Sequence, residues 1–263
     1  MKKLAALLLL FFSLRQARPQ DFSAYQYGIF SGKESELKYR ILFPASFDSS
    51  KKYPLIIFLH GAYEKGTDNE AQLRIGGLYF LKEENRRKFP AIVLFPQCPP
   101  NDLWAYFETD IDSATGLAKR WYFPFRKQPT QTTLLLKRLL DSLLTQKYAD
   151  PTKVYIGGLS QGGMGVYDLI TRYPDTFTAA FPICGAGPVN KCERFASKVA
   201  VWIFHGAADD IVPVRFSRDY FKKLQKKGAD VRYSEYPGVF HNSWNNAFAE
   251  KDLLVWLFSK TKK

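Results

Sequence analysis

Histidine, cysteine and acidic residues are scarce in this sequence, and each scarcity narrows its chemistry. There are three histidines, His60, His205 and His241, and three cysteines, Cys98, Cys184 and Cys192. No two cysteines form a C-x-x-C pair and the histidines lack metal-ligand spacing, so no metal site is expected. An odd cysteine count cannot be fully paired. Cys184 and Cys192 are either bridged across their short loop or two buried thiols, and the sequence leaves both open. Acids number 25 against 38 lysines and arginines, a net charge of +13. No RNA- or DNA-binding motif accompanies that charge, so it reads as a solvated basic surface, with no nucleic-acid partner. Internal repeats, low-complexity tracts and a convincing linker are also missing, which points to one domain over residues 21–263.

Long apolar runs are missing too. The longest candidate, residues 4–14, is too short to span a membrane; it follows Lys2-Lys3 and precedes Ala17. A basic start, a short apolar stretch and a small residue make an export signal over about residues 1–20. The expected location is therefore secreted or periplasmic. The mature protein should hold no stable membrane span, and without a cysteine after the apolar stretch a lipid anchor is not expected.

What is present is organised around residues 154–163. The β-branched and aromatic run 154–156 meets Gly158-Leu159-Ser160-Gln161-Gly162, and a segment of helical period follows. Strand, Gly-x-Ser-x-Gly, helix is the context of a nucleophile elbow, in which a strained turn projects the serine hydroxyl above a sheet. Ser160 is the expected nucleophile. Continuous apolar runs at 54–59, 91–95, 154–156, 179–183 and 199–204, with a last strand at 231–236, read as buried strands. Helical patterns at 69–81, 130–148, 161–173, 214–227 and 243–259 alternate with them. An antiparallel pair at 25–30 and 37–43 precedes them. The alternation predicts an α/β fold, a mostly parallel, doubly wound sheet with helices on both faces. Ligands should bind beyond the C-terminal strand ends.

A serine hydroxyl needs a base, and the base needs an orienting carboxylate. With the chain order Ser, acid, His that an elbow of this type uses, only His241 follows the serine and a plausible acid. The acid should follow strand 199–204, where Asp209 and Asp210 both lie; Asp209, just past the strand end, is preferred. Oxyanion donors are expected at the backbone N–H of Gln161 and, in the first His-Gly loop, of Ala62. His60 reads as a structural strand-end residue. No metal or organic cofactor is required.

Residues 98–127 lack periodicity and are too long for a plain connector. They carry Trp104, Tyr106 and Trp121, read here as a substrate-binding wall with aromatic faces for a planar acyl group or a sugar ring. The competing reading is an aromatic mini-core that pins a long loop.

Segments 59–70, 95–98, 157–163, 172–175 and 182–185, with His205-Gly206-x-x-Asp209 and His241-x-x-Trp244, carry a resemblance covering nearly everything from residue 53 onward. The chain resembles the α/β-hydrolase superfamily, and within it secreted feruloyl and acetyl-xylan esterases, dienelactone-hydrolase-like proteins and predicted peptidases of prolyl-oligopeptidase-like type. The resemblance implies Ser160, Asp209 and His241 as triad, Ala62 and Gln161 as oxyanion donors, and a carboxylic-ester hydrolase acting on small-molecule or polysaccharide-linked esters. A serine peptidase and a general small-ester or lipid carboxylesterase are the alternatives. Such proteins often carry glycines after His-Gly; here stand Ala62 and Tyr63, and Tyr63 is expected to narrow the acyl pocket.

Overall fold

The computed structural model describes residues 20–33, 35–116 and 118–262. The export-signal reading lies, save its last residue, outside these. An eight-stranded sheet forms the centre. Its strands are β1 (Gln26–Ser31), β2 (Glu36–Leu42), β3 (Tyr53–Leu59), β4 (Ile92–Gln97), β7 (Ala149–Leu159), β8 (Ala179–Ile183), β9 (Ala200–Gly206) and β10 (Val231–Tyr236), in the order β1-β2-β4-β3-β7-β8-β9-β10. β1, β2 and β4 pair antiparallel; from β4 to β10 all pairings are parallel. All seven residues of β3 and all seven of β9 are buried, as a parallel strand covered on both faces requires.

Successive side chains feed two cores. Leu55, Ile57 and Leu59 face one layer, with Leu135, Leu139 and Leu140 of α3 (Gln131–Leu144) and Val166, Leu169 and Ile170 of α4 (Gln161–Arg172). Ile56 and Phe58 face the other, with Trp202, Phe204, Leu253 and Trp256. The Thr130 hydroxyl starts α3 by accepting the Thr133 N–H at 3.2 Å, one of the donors a helix start leaves without a partner. α5 (Arg215–Lys226) covers β9 and β10 from the first layer.

Two expected helices and one stretch expected to lack regular structure come out differently. Residues 69–81 form a 3₁₀ turn, Ala71–Leu73, and the short helix α1 (Gly77–Leu81), followed by α2 (Glu83–Lys88). Gly76, at φ 91°, interrupts the run because that left-handed backbone cannot continue a helix. Residues 243–259 split into α6 (Trp244–Ala247) and α7 (Leu253–Phe258). Residues 98–127 contain a hairpin of β5 (Glu108–Ile111) and β6 (Ala118–Tyr122), whose alternation was hidden by mixed burial. Cys98, Cys184 and Cys192 are free, buried thiols, so Cys184 and Cys192 are not bridged. No helix among the described residues is long and apolar enough to cross a membrane.

Candidate active site

β7 ends at Leu159 and α4 begins at Gln161, so Ser160 occupies the whole turn, with φ 54° and ψ −118°. A side chain at positive φ is strained and persists only where its surroundings over-determine it. Two glycines allow it. A Cβ on Gly162 would lie 2.1 Å from the Leu59 carbonyl oxygen, and one on Gly158 would lie 2.7 Å from the Gly162 carbonyl carbon. Ser160 N–H donates to Ile183 O at 2.9 Å, and its own C=O accepts from Met164 N–H at 3.0 Å, which locks the elbow against β8 and into α4.

His241 comes from the loop between β10 and α6. Its Nε2 lies 2.9 Å from Ser160 Oγ, and its Nδ1 lies 3.0 and 2.8 Å from the two carboxylate oxygens of Asp209. Asp209 follows β9, and Oδ1 also accepts from the N–H groups of Ile211 (3.0 Å) and Val212 (2.8 Å). The structure therefore brings Ser160, His241 and Asp209 into one hydrogen-bonded row, while the neighbouring Asp210 is exposed. The Asp209 side chain is 0% exposed and that of His241 16%. Burial alone would push the Asp209 carboxyl up; hydrogen bonds from His205, His241 and Val212 outweigh it and hold the carboxyl well below its usual range.

One partner of Asp209 is absent from the sequence-level picture. His205, fully buried, places Nε2 at 3.1 Å from Asp209 Oδ2 and 2.9 Å from Val212 O, and Nδ1 at 2.7 Å from Ser217 Oγ. Two acceptors at Nε2 require a proton there. The signal was in the sequence as the His-Gly pair four residues before the acid, but that pair also suits a plain strand end.

Gln161 is the first residue of α4, where N–H groups have no intrahelical acceptor. Ala62 opens the 3₁₀ turn Ala62–Glu64 that follows β3, and Gly61 packs so near the elbow that a Cβ on it would lie 3.7 Å from Ser160 Cβ.

The aromatic segment needs correction. Trp104 is 0% exposed; its indole N–H donates to His60 O at 3.0 Å and its C=O accepts from the Thr133 hydroxyl at 2.6 Å. It is a core residue and offers no face to a substrate. Tyr106 carries the Arg126 guanidinium over its ring at 4.3 Å, and its hydroxyl donates to Pro129 O at 3.4 Å, so it ties the segment to itself and to the approach to α3. Trp121 sits between Phe107 and Phe123, with Phe216 at its edge, and this pile packs on Met164, Ala186 and Val212 beside the elbow and the acid loop. The segment is thus largely the mini-core, with the pile flanking the Asp209 side of the site. Tyr63 is 91% exposed, so its ring stands in solvent instead of narrowing an enclosed pocket.

Cys184, Asp209 and His241 bring one potential metal-ligand atom each to within 4.8 Å of one another. Asp209 and His241 already bond to each other, and burial pushes the Cys184 thiol far up, where it keeps its proton. The donor set suits a proton relay better than a cation.

The sequence profile of the Phospholipase/Carboxylesterase family matches residues 126–252. A probable carboxylesterase SOBER1-like protein of Arabidopsis thaliana is 26% identical over 72% of this chain and 73% of its own length. The chain spans about half of Protein usf of Aquifex pyrophilus, 51% of it, at 27% identity over 44% of this chain. Among solved structures, a thermostable esterase superposes with a TM-score of 0.80 at 34% identity, over 92% of this chain and 64% of that one. A ferulic acid esterase superposes with a TM-score of 0.66 at 16% identity, over 89% of this chain and 98% of that one, which shows a shared fold. With this sheet order and elbow, the chain belongs to the α/β-hydrolase superfamily.

Proposed function

We propose that this protein is a serine hydrolase of carboxylic esters, with Ser160 as nucleophile, His241 as base and Asp209 as the carboxylate that orients it. The observation that carries the reading is the unbroken row Ser160 Oγ, His241 Nε2, His241 Nδ1, Asp209, with 2.9 Å and 2.8 Å steps, at a strained elbow. In the first step His241 Nε2 takes the hydroxyl proton as Ser160 Oγ attacks the ester carbonyl. Asp209 holds the Nδ1–H and stabilises the imidazolium. The backbone N–H groups of Ala62 and Gln161 receive the negative oxygen of the tetrahedral intermediate. His241 then gives its proton to the departing alcohol, leaving an acyl ester on Ser160. A water activated by the same imidazole attacks that ester, and the acid leaves as Ser160 regains its proton.

The finer reading is an exported enzyme that removes feruloyl or acetyl groups from polysaccharides. It is supported by the basic, apolar N-terminus, by the aromatic pile beside the acid loop and by the fold shared with a ferulic acid esterase. The test is hydrolysis of p-nitrophenyl acetate, butyrate and octanoate, methyl ferulate, acetylated xylan and a chromogenic peptide amide, by the wild type and Ser160→Ala side by side. Serine-dependent turnover of ferulate or acetyl-xylan supports the polysaccharide reading. Faster cleavage of the amide than of any ester moves the assignment to a peptidase. Export is tested by N-terminal sequencing of the protein from culture fluid or periplasm.

A further inference from the structure

The peptide that carries the Ala62 N–H is held by side chains that the mechanism above does not use. The carbonyl oxygen of Gly61 lies 2.6 Å from His60 Nδ1. On the far side of the ring, Nε2 accepts the Cys98 N–H at 2.9 Å. That acceptor role leaves the single ring proton on Nδ1, so His60 donates to Gly61 O. The ring is 0% exposed, and burial lowers its pKa to about 4, so it stays neutral and keeps this tautomer near neutral pH. Its backbone is fixed as well, since His60 O accepts the Trp104 indole N–H at 3.0 Å.

The consequence follows from peptide geometry. No cis peptide occurs among the described residues, and in a trans peptide the C=O and N–H point in opposite directions. A Gly61 oxygen drawn toward the buried imidazole turns the Ala62 N–H away from that ring, and Gly61 itself stands beside the elbow, where a Cβ on it would lie 3.7 Å from Ser160 Cβ. Glu64 steadies the same turn from the other end. It is 6% exposed; burial raises its carboxyl, against backbone hydrogen bonds at Gly61 and at Glu64 itself. Gln97 Nε2 holds the turn to β4 by donating to Glu64 O at 3.3 Å and to Asp68 Oδ1 at 2.6 Å.

We infer that His60 is a positioning residue, whose Nδ1–H bond to Gly61 O aims the Ala62 N–H at the oxyanion of the tetrahedral intermediate. This rests on the serine-esterase reading.

The test is a double-mutant cycle on p-nitrophenyl butyrate with His60→Phe, which keeps a ring and removes both nitrogens, and Ala62→Pro, which removes the N–H at a first helical position that tolerates proline. In His60→Phe, kcat should fall about 10- to 100-fold with KM within about twofold, and affinity for a trifluoromethyl ketone should fall by the same factor. In the Ala62→Pro background, His60→Phe should add less than about threefold. His60→Gln, which can donate to Gly61 O and accept from Cys98 N–H, should recover most of kcat. If His60→Phe does not fold, the glutamine variant carries the cycle, and its smaller kcat loss should vanish in the proline background. Unchanged kcat in folded His60→Phe, the same loss in both backgrounds, or an Ala62→Pro variant of full activity overturns the inference. Turnover that survives Ser160→Ala overturns the esterase reading instead, so the two failures are distinguishable.

Discussion

The same dipeptide, His-Gly, ends two strands of this sheet and is wired oppositely at each. At the end of β3, His60 carries its proton on Nδ1, which faces Gly61 O, and accepts the Cys98 N–H at Nε2. At the end of β9, His205 carries its proton on Nε2, which faces Val212 O and the Asp209 carboxylate. Both rings are 0% exposed. The two glycines are needed for a shared reason. A Cβ on Gly206 would lie 2.2 Å from Val239 O, in the chain leading to His241, and one on Gly61 would lie 2.7 Å from the Leu159 side chain, beside Ser160. One residue pair thus stands at both strand ends, beside Ser160 at one and before Asp209 at the other, and the neighbouring donors and acceptors choose the tautomer.

Changes that leave both strand ends intact but remove the centre should have the largest effect. Ser160→Ala is expected to lower ester turnover by about 10⁴- to 10⁶-fold, with thermal unfolding little changed, because alanine keeps a Cβ at the same strained φ. Asp209→Asn should lower kcat by about 10³- to 10⁴-fold, because the amide can donate to His241 Nδ1 and favour the wrong tautomer. Steady-state kinetics across both variants check this ranking.

The comparison is sharpened by pH. His60 has its pKa lowered by burial from 6.5 to about 4. The unfolded chain therefore binds a proton at His60 that the native chain refuses, so stability falls as pH drops from about 6.5 to about 4, by roughly 3 kcal/mol in full. Asp209 is depressed in the native state, and its contribution is present above about pH 4 and lost below it as the carboxylate takes a proton. Denaturant unfolding from pH 8 to 3 should show His60→Gln flattening the upper window and Asp209→Asn the lower. Coincident profiles for the two variants would erase the distinction.

Smaller effects belong to the supports of each histidine. Trp104→Phe leaves His60 O without its donor and should cost about 1–3 kcal/mol, and Ser217→Ala removes the partner of His205 Nδ1 at about 1–2 kcal/mol. Tyr63→Ala, on an exposed ring, should stay within about 0.5 kcal/mol. Urea titrations rank the three.

The sheet was legible wherever a strand is buried on both faces, because runs such as 54–59 and 199–204 leave no other reading. The elbow was legible from Gly158, Ser160 and Gly162, whose spacing is set by atoms packed within one turn. Elimination pointed to His241, since three histidines leave little choice, and position just past a strand end pointed to Asp209 rather than Asp210. The hairpin at residues 108–122 was not legible, because its strands lie on the surface and neither face alternates cleanly. Trp104 was misread because an aromatic side chain in a long segment looks the same whether it lines a cleft or fills a core; the partners of its indole N–H and its backbone C=O decide, and they lie 44 and 29 residues away. His60 and His205 hid for a related reason. A buried histidine at a strand end announces nothing until the groups around each nitrogen are known.

Intact-protein mass spectrometry after brief mixing with p-nitrophenyl butyrate at low pH, followed by peptide mapping, addresses the proposed chemistry most directly. A single acyl adduct on Ser160 is expected, absent from Ser160→Ala and accumulating in Asp209→Asn only at a strongly reduced rate. An adduct on another residue, or ester turnover by Ser160→Ala equal to the wild type, would contradict it.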